Sequence, residues 1–454
     1  MNNMLISEKE IVSKWADDNV VVSVCMLAYN HEEYIADALN GILLQDVNFR
    51  YEILIHDDAS TDSTADIIRT YQARFPNIVK PIFQVENKWS KGINPSVFYN
   101  YPRVLGDYVA WCEGDDVWSD GKKLKTQVDI LREKSEIDIC FHLSDLQNCI
   151  TGNQERYSIG HYRDDSGYVC FDDIFLRRYG MIPTASCVVR KAVAAELGLF
   201  MSQRPYLTSG DVHMQTLGAL RGGGWFINEV MSLYRFGTKS SLTKGILDSG
   251  KKNVNHHVSC IRGAISLWKN YFPERSEKTL KKIIYKRLVW LFLSDGRGRA
   301  WVEELGIQFL YSIYLEIEAY MRSFGKRLQG KDMVIYGCGH EAAKIVKEVG
   351  ADNIKFIIDR DENKIEGYFD GVPFKPFSEI ELTSDCFLIV STMFYDEEKF
   401  LQNANRFNVK KENLIRIEDE ILDFIDINNI WKGEVLMDTA EVMRLGQRVP
   451  GWWA

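Results

Sequence analysis

The residues of this chain best suited to chemistry are acids gathered at the ends of short apolar runs. In WCEGDDVW, Glu113, Asp115 and Asp116 follow a β-rich stretch that begins at Asp107. Three carboxylates this close repel one another unless a cation or hydrogen bonds compensate. The cluster suits Mg2+ or Mn2+, ions that share their remaining positions with phosphate and water. The same residues also read as an acidic turn ahead of a helix in KKLKTQVDIL that Asp120 would cap. A second acidic group, Asp57 and Asp58 followed by Ser60, Thr61 and Asp62, ends an earlier β-rich run in YEILIHDDASTDST. Ligands of a parallel sheet sit at the carboxyl ends of its strands, so two such groups would line one crevice. A carboxylate there accepts hydrogen bonds from a base N–H or ribose hydroxyls, or else caps the helix that follows.

The elements that must position these acids are legible as alternating periods. From Val21 the chain reads VVSVCMLA as a strand, a helix from about Glu32, YEILIH as a strand and a helix from Asp62 with an Asp or Ser cap. That βαβα order implies a mainly parallel sheet. Further strands are expected at VKPIFQ, DYVAWC, Ile137 to His142, Ala185 to Arg190 and Trp225 to Arg235, with a helix beginning near Ser209. From Asp248 to Gly330 the sequence turns helical and basic, with helix-spaced apolar residues. A second α/β unit starts at Lys331 with DMVIYGCGHEAAKIVKEVG, the strand IKFIID and a later strand CFLIVST. The tail from about Asn428 has no period, and its Trp431, Trp452 and Trp453 read as packing residues.

Composition bounds the rest. At 454 residues, with 46% hydrophobic and 26% charged side chains, the chain should form two or three folded domains. A net charge of −9 argues against nucleic acid as a partner. The nine cysteines show neither a C-x-x-C pair nor zinc-type spacing, so reduced, buried thiols are expected. The N-terminus is acidic where a signal peptide needs a basic start. The apolar runs Leu288 to Leu293 and Ile307 to Tyr314 are far shorter than the ~20 residues of a membrane-crossing helix. The expected location is the cytoplasm, with at most peripheral contact at the inner face of the membrane through the basic helical segment.

Four ordered segments, VVSVCMLAYNHEEYIADALNGILLQ, YEILIHDDASTDST, GDYVAWCEGDDVW and KLKTQ, together resemble the family 2 inverting glycosyltransferases of GT-A fold. A fifth, TSGDVHMQTLGALRGGGWFINEVMSLYRFG, looks like that family's acceptor-side region, so the resemblance covers roughly residues 20–240. It implies a domain over 1–247 that binds a nucleotide sugar; the helix-spaced apolar residues make 248–330 a helical connector, and FIIDRDENKIEGYFDGVPFKP, which resembles small Rossmann-like domains appended to bacterial sugar-modifying enzymes, makes 331–454 a smaller Rossmann-like α/β domain with the tail. The family 2 resemblance has consequences for single residues as well. It implies that Ala28, Tyr29 and Asn30 meet the nucleotide, that Asp57 and Asp58 hold base and ribose, and that Lys91 lines the same pocket. Glu113-Gly114-Asp115 occupies the family's D-x-D position, which makes Asp115 the first choice of metal ligand and Asp116 the second, with Mn2+ or Mg2+ as the ion. Asp211 matches the general base that takes the acceptor's proton; its plainer reading is a helix N-cap after Gly210. Many relatives carry a His two residues after the Tyr-Arg pair, whereas here Tyr234-Arg235 is followed by Phe236-Gly237, which leaves a third protein ligand unassigned. Arg235 is a candidate diphosphate contact or an ordinary ion-pair partner, and His213 reads as a packing or surface residue.

The C-terminal unit satisfies G-x-G-x-x-A with Gly337, Gly339 and Ala342, and Asp359 ends the next strand. Such glycines let a pyrophosphate approach a helix N-terminus while the acid holds a ribose, as for NAD or another nucleotide. A degenerate fold used for packing or dimerisation is the preferred reading. The expected activity is transfer of a sugar from a nucleoside-diphosphate donor, UDP first, to a glycan or lipid-linked acceptor in bacterial surface polysaccharide synthesis. The alternatives are a non-catalytic sugar-nucleotide or glycan-binding scaffold, and a NAD-dependent oxidoreductase acting through the C-terminal domain.

Overall fold

The computed structural model describes residues 6–150, 156–275, 277–293, 308–336, 340–359, 368–376, 385–390 and 413–416, with residues 382, 410 and 422. They fall into two compact units, one running to Ser249 and one from Gly250 to Glu434.

The first unit opens with α1 (Glu8–Val12), β1 (Val20–Ala28), α2 (Ile35–Leu43), β2 (Arg50–Asp57), α3 (Thr64–Arg74) and β3 (Val79–Phe83). Then come β4 (Tyr108–Trp111), β5 (Val117–Trp118), α4 (Lys123–Glu133), β6 (Ile139–Asn148), β7 (Arg156–Ile159), β8 (Gly167–Val169) and α5 (Phe171–Phe175). It ends with β9 (Val188–Arg190), α6 (Lys191–Ser202), α7 (Gly210–Ala219), β10 (Gly224–Phe236) and α8 (Leu242–Leu247). The sheet runs β3-β2-β1-β4-β9-β6-β10-β5, with β7 on β6 and β8 on β10.

Only the half β3-β2-β1-β4 is uniformly parallel. β9 runs antiparallel to both β4 and β6, and β5 antiparallel to β10, so the sheet is mixed where the sequence suggested mainly parallel. The reason is local. β9, three residues at the end of the strand expected over Ala185 to Arg190, lies antiparallel between the parallel pairs β1/β4 and β6/β10, and β5, two residues too short to carry a readable period, closes the edge on β10. β1 is buried along nearly its whole length, as expected of a strand covered on both faces.

Ile35, Leu39 and Ile42 of α2 and Leu124, Val128 and Leu131 of α4 belong to one apolar core with Val22, Val24, Met26, Ile53 and Ile55. Each such side chain stabilises the fold by roughly 1.5–3 kcal/mol. Gly41 sets how closely α2 approaches the acidic strand end, because a Cβ there would lie 2.5 Å from the Trp118 carbonyl oxygen. Helix starts differ in detail from expectation. α2 begins at Ile35, three residues after Glu32. Asp62 accepts the amides of Thr64 and Glu32 at the entrance to α3. Asp120 accepts the Lys122 amide at 2.6 Å, one step ahead of α4.

The second unit contains the long helices α9 (Gly250–Tyr271), α10 (Glu277–Leu293) and α11 (Gln308–Leu328). It continues with β11 (Met333–Tyr336), α12 (His340–Val349), β12 (Ile354–Asp359), β13 (Tyr368–Phe369), β14 (Val372–Pro376), β15 (Phe387–Val390) and β16 (Leu414–Arg416). Its sheet order is β13-β14-β12-β11-β15-β16, parallel except for the β13/β14 pair. Among the described residues no helix is long and apolar enough to cross a membrane.

Candidate active site

The ends of β1 and β2 lie side by side, with Ala28 in register with Asp57 and the Asp58 amide donating to the Ala28 carbonyl at 2.9 Å. Beyond them the backbone is twisted into the left-handed region at Asn30 (φ 55°) and Ala59 (φ 62°). Asn tolerates that region, but at Ala59 it costs of order 1 kcal/mol and persists only where the surroundings hold it. Here they do. The Asn30 amide donates to Ser60 Oγ at 2.9 Å, Asn30 Oδ1 accepts the Thr61 amide at 2.8 Å, and Ser60 Oγ donates to Asp57 Oδ1 at 2.6 Å. Burial raises the Asp57 carboxyl above its ordinary range, and the Ser60 hydrogen bonds offset part of that rise.

Asp58 does not cap α3. Its two oxygens accept the Lys88 and Trp89 amides at 2.7 and 3.0 Å, pinning the loop after β3 across the strand ends. Lys91 on that loop pairs with Glu86, as does Lys88 at 2.7 Å. Tyr29 is exposed above the β1 end.

The turn after β4 is stitched to β1 along its length. The Cys112 amide donates to Cys25 O, the Gly114 amide to Leu27 O at 2.9 Å, and Glu113 Oε2 accepts the Leu27 amide at 3.1 Å. Burial first, then Asp115 and Asp211, push the Glu113 carboxyl up to about 8, against the one hydrogen bond from Leu27 that lowers it. Asp116 is also driven well up, again by burial first and Asp115 second, and accepts the Arg235 amide at 3.2 Å. Asp115 Oδ2 accepts the Thr238 hydroxyl at 2.8 Å and lies 3.8 Å from His31 Nε2.

Asp211 sits in the first turn of α7, two residues after the cap residue Ser209, and is half-buried. Its charge raises both Glu113 and Tyr234 of β10, so it shares an electrostatic neighbourhood with the acids of the β4 turn. α7 is held against the body of the unit by Gln215, which donates to Ile182 O at 2.9 Å, and by His213, which is buried edge-on against Phe200. The Arg235 guanidinium donates to Asp37 at 2.8 Å and to the Asp115 carbonyl at 3.3 Å, and lies over the Tyr34 ring. It thus braces the turn from behind rather than standing free for a ligand.

Among the described residues no three His, Cys, Asp or Glu side chains converge as a ready-made metal cage. Two contributors to this site went unnamed in the sequence. His31 follows Asn30 inside a matched motif, and Thr238 lies just beyond Gly237, whose φ of 78° turns the chain back over Asp115. In the second unit Gly337 and Gly339 lie outside the described residues. Ala342 is buried in α12, and Asp359 ends β12. The C-terminal tryptophans also lie outside them.

Comparison with known proteins bears on this arrangement directly. Residues 23–167 match the family model of glycosyl transferase family 2. That segment carries β1, β2 and the β4 turn with all the acids of the strand ends, and stops short of Asp211 and Arg235. An uncharacterized protein of Mycobacterium tuberculosis is 42% identical over 125 residues, 27% of this chain and 34% of the relative. A putative teichuronic acid biosynthesis glycosyltransferase, TuaG, of Bacillus subtilis is 31% identical over 115 residues, 25% of this chain and 43% of the relative. The chain thus spans well under half the length of these relatives. The crystal structure of Staphylococcus aureus TarS residues 1–349 aligns over 74% of this chain and 90% of that one, at 15% identity and a TM-score of 0.47.

Proposed function

We propose that this protein is a metal-dependent, inverting glycosyltransferase that moves a sugar from a nucleoside-diphosphate donor, UDP first among them, to a hydroxyl of a glycan or lipid-linked acceptor in bacterial surface polysaccharide synthesis. The observation that carries the reading is the pair of acidic strand ends, Asp57–Asp58 after β2 and Glu113–Asp116 after β4, on the two strands that flank β1 within the segment matching the family 2 model.

The chemistry asked of these residues is simple. Asp211 takes the proton of the acceptor hydroxyl as its oxygen bonds to the anomeric carbon. The bond from that carbon to the donor's phosphate oxygen breaks, its electron pair leaving with the diphosphate. Attack from the face opposite the leaving group inverts the anomeric centre. The Asn30–Ser60–Asp57 network and the loop pinned by Asp58 present a rigid floor for base and ribose.

The donor set suits a divalent cation. Burial raises Glu113 and Asp116, an effect that the Arg235 guanidinium offsets only in part at Asp116, and a dication would add the positive charge that favours their ionised form. Asp115 would hold the ion, with the donor's phosphates completing its shell. When bound, Mn2+ or Mg2+ would stabilise the charge developing on the diphosphate.

The test is a donor-hydrolysis and transfer screen over a panel of nucleotide sugars with Mn2+ or Mg2+, using the wild type, Asp115→Asn and Asp211→Asn. The expected pattern is turnover with one donor class, lost in both variants, with donor binding kept in Asp211→Asn. Full turnover in either variant would end the proposal.

A further inference from the structure

We infer that His31 is a nitrogen ligand of the divalent cation, entering the site from the loop after β1 and completing, with Asp115 and Thr238, a donor set that the sequence leaves one member short. The inference rests on the reading of Asp115 as a cation ligand.

Three observations converge on it. His31 is 7% exposed, and its Nδ1 has no hydrogen-bond partner among the described residues. That nitrogen faces Gly114 and not Asp115, so among the described residues the ring makes no hydrogen bond that would hold its other nitrogen away from an ion. Its other nitrogen, Nε2, is aimed at Asp115 Oδ2 at 3.8 Å, too far for a hydrogen bond. Two donors bound to one ion at roughly 2.1 Å stand from about 3 Å apart in neighbouring positions to about 4.2 Å in opposite ones, and the observed gap falls inside that range.

The glycine between the acids of Glu113-Gly114-Asp115 is the third observation. A Cβ at position 114 would lie 2.6 Å from His31 Nδ1, 3.0 Å from Ile35 Cδ1 and 3.1 Å from the Leu27 carbonyl. Only a residue without a side chain lets the imidazole lie against the turn, so Gly114 and His31 are fitted to one another. From the opposite side, Thr238 places its hydroxyl on the same carboxylate oxygen that His31 faces. The chain therefore brings a nitrogen and a hydroxyl to Asp115 from two different loops, although no His stands two residues after Tyr234-Arg235.

An imidazole donor shifts preference toward a first-row transition ion and away from Mg2+, whose compact shell favours oxygen. His31 thus sets which ion is used as well as how tightly it is held.

The test uses the full-length protein with Mn2+, with and without UDP, and reads the metal directly. Electron spin-echo spectra of the bound Mn2+ should show 14N modulation in the wild type that disappears in His31→Gln. Mn2+ affinity should fall at least about tenfold in that variant, with Mg2+ affinity changing less than about threefold. Gly114→Ala should reproduce the Mn2+ loss by displacing the ring. Modulation that is absent from the wild type or persists in His31→Gln overturns the assignment, as does unchanged Mn2+ affinity in His31→Gln, while Asp115 stands if Asp115→Asn abolishes binding. Mn2+ that binds Asp115→Asn as well as wild type, or fails to bind at all, removes the Asp115 reading itself.

Discussion

The two acidic strand ends of the first sheet look alike in sequence and behave differently in the fold. After β2, Asp57 and Asp58 are met by donors: Ser60 on one, the Lys88 and Trp89 amides on the other. After β4, Glu113 and Asp116 each have a single backbone N–H donor and sit among other carboxylates, so their protons are held far above the ordinary range. The first group has spent its charge on building a loop. The second is disfavoured in its charged form, and on the proposed reading a bound dication would reverse that. Acidic residues alone therefore do not mark a metal position, and on the proposed reading the cation belongs with the group that has fewer donors.

The largest effects should come from breaking the crowded side. Asp211→Asn should lower turnover by about 10²- to 10⁴-fold, the usual contribution of a general base, while donor affinity measured by calorimetry stays within twofold, about 0.4 kcal/mol. Asp115→Asn should cost about 10²- to 10³-fold in turnover, as for loss of one charge-stabilising group, and weaken donor binding in Mn2+ as well. Donor binding that survives Asp115→Asn unchanged would place the diphosphate elsewhere.

How much of this was legible follows from what makes a signal readable. β1, β2 and β4 are apolar runs, the last two leading into acids, and the strands end at Ala28, Asp57 and Trp111. A strand was expected where β9 lies, but three residues do not reveal a direction, and β5 has only two, so the antiparallel pairings of that half of the sheet were not readable. The differing fates of the two acidic groups were also hidden. Asp58 turns from capping α3 to holding residues 88–89 because β3 delivers that loop beside it, a tertiary fact. His31 and Thr238 reach Asp115 from positions 84 residues before and 123 residues after it in the chain, and neither belongs to a local pattern that names it.

The contrast also predicts opposite signs for stability. In metal-free protein, Glu113→Gln removes a carboxyl that the surrounding acids disfavour in its charged form and should leave the melting temperature unchanged or raise it. Asp58→Ala removes two charge-assisted hydrogen bonds and strands the Lys88 and Trp89 amides, a loss of about 1–3 kcal/mol, or several degrees for a unit of this size. Calorimetric melting of both variants decides it. A fall of equal size in the two would show that Glu113 is as well accommodated as Asp58.

The smallest expected effect concerns a cation that the crowded acids do not receive. Lys123 is fully buried at the start of α4, donates to Gln127 Oε1 at 2.8 Å and lies 4.0 Å above the Trp118 ring, with no carboxylate as partner among the described residues. Burial lowers its pKa to about 7. An unfolded chain holds that proton to about 10.4, so between the two values the unfolded state binds more protons and stability rises with pH, by at most about 1.4 kcal/mol per unit. Below pH 7 both states are protonated and the slope vanishes. Lys123→Met should abolish this contribution, which the difference between the two proteins' melting curves isolates from buried thiols and carboxyls that titrate in the same range. If that difference is flat from pH 7 to 9, Lys123 stays charged inside the fold, and the acid cluster has a compensating charge beneath it after all.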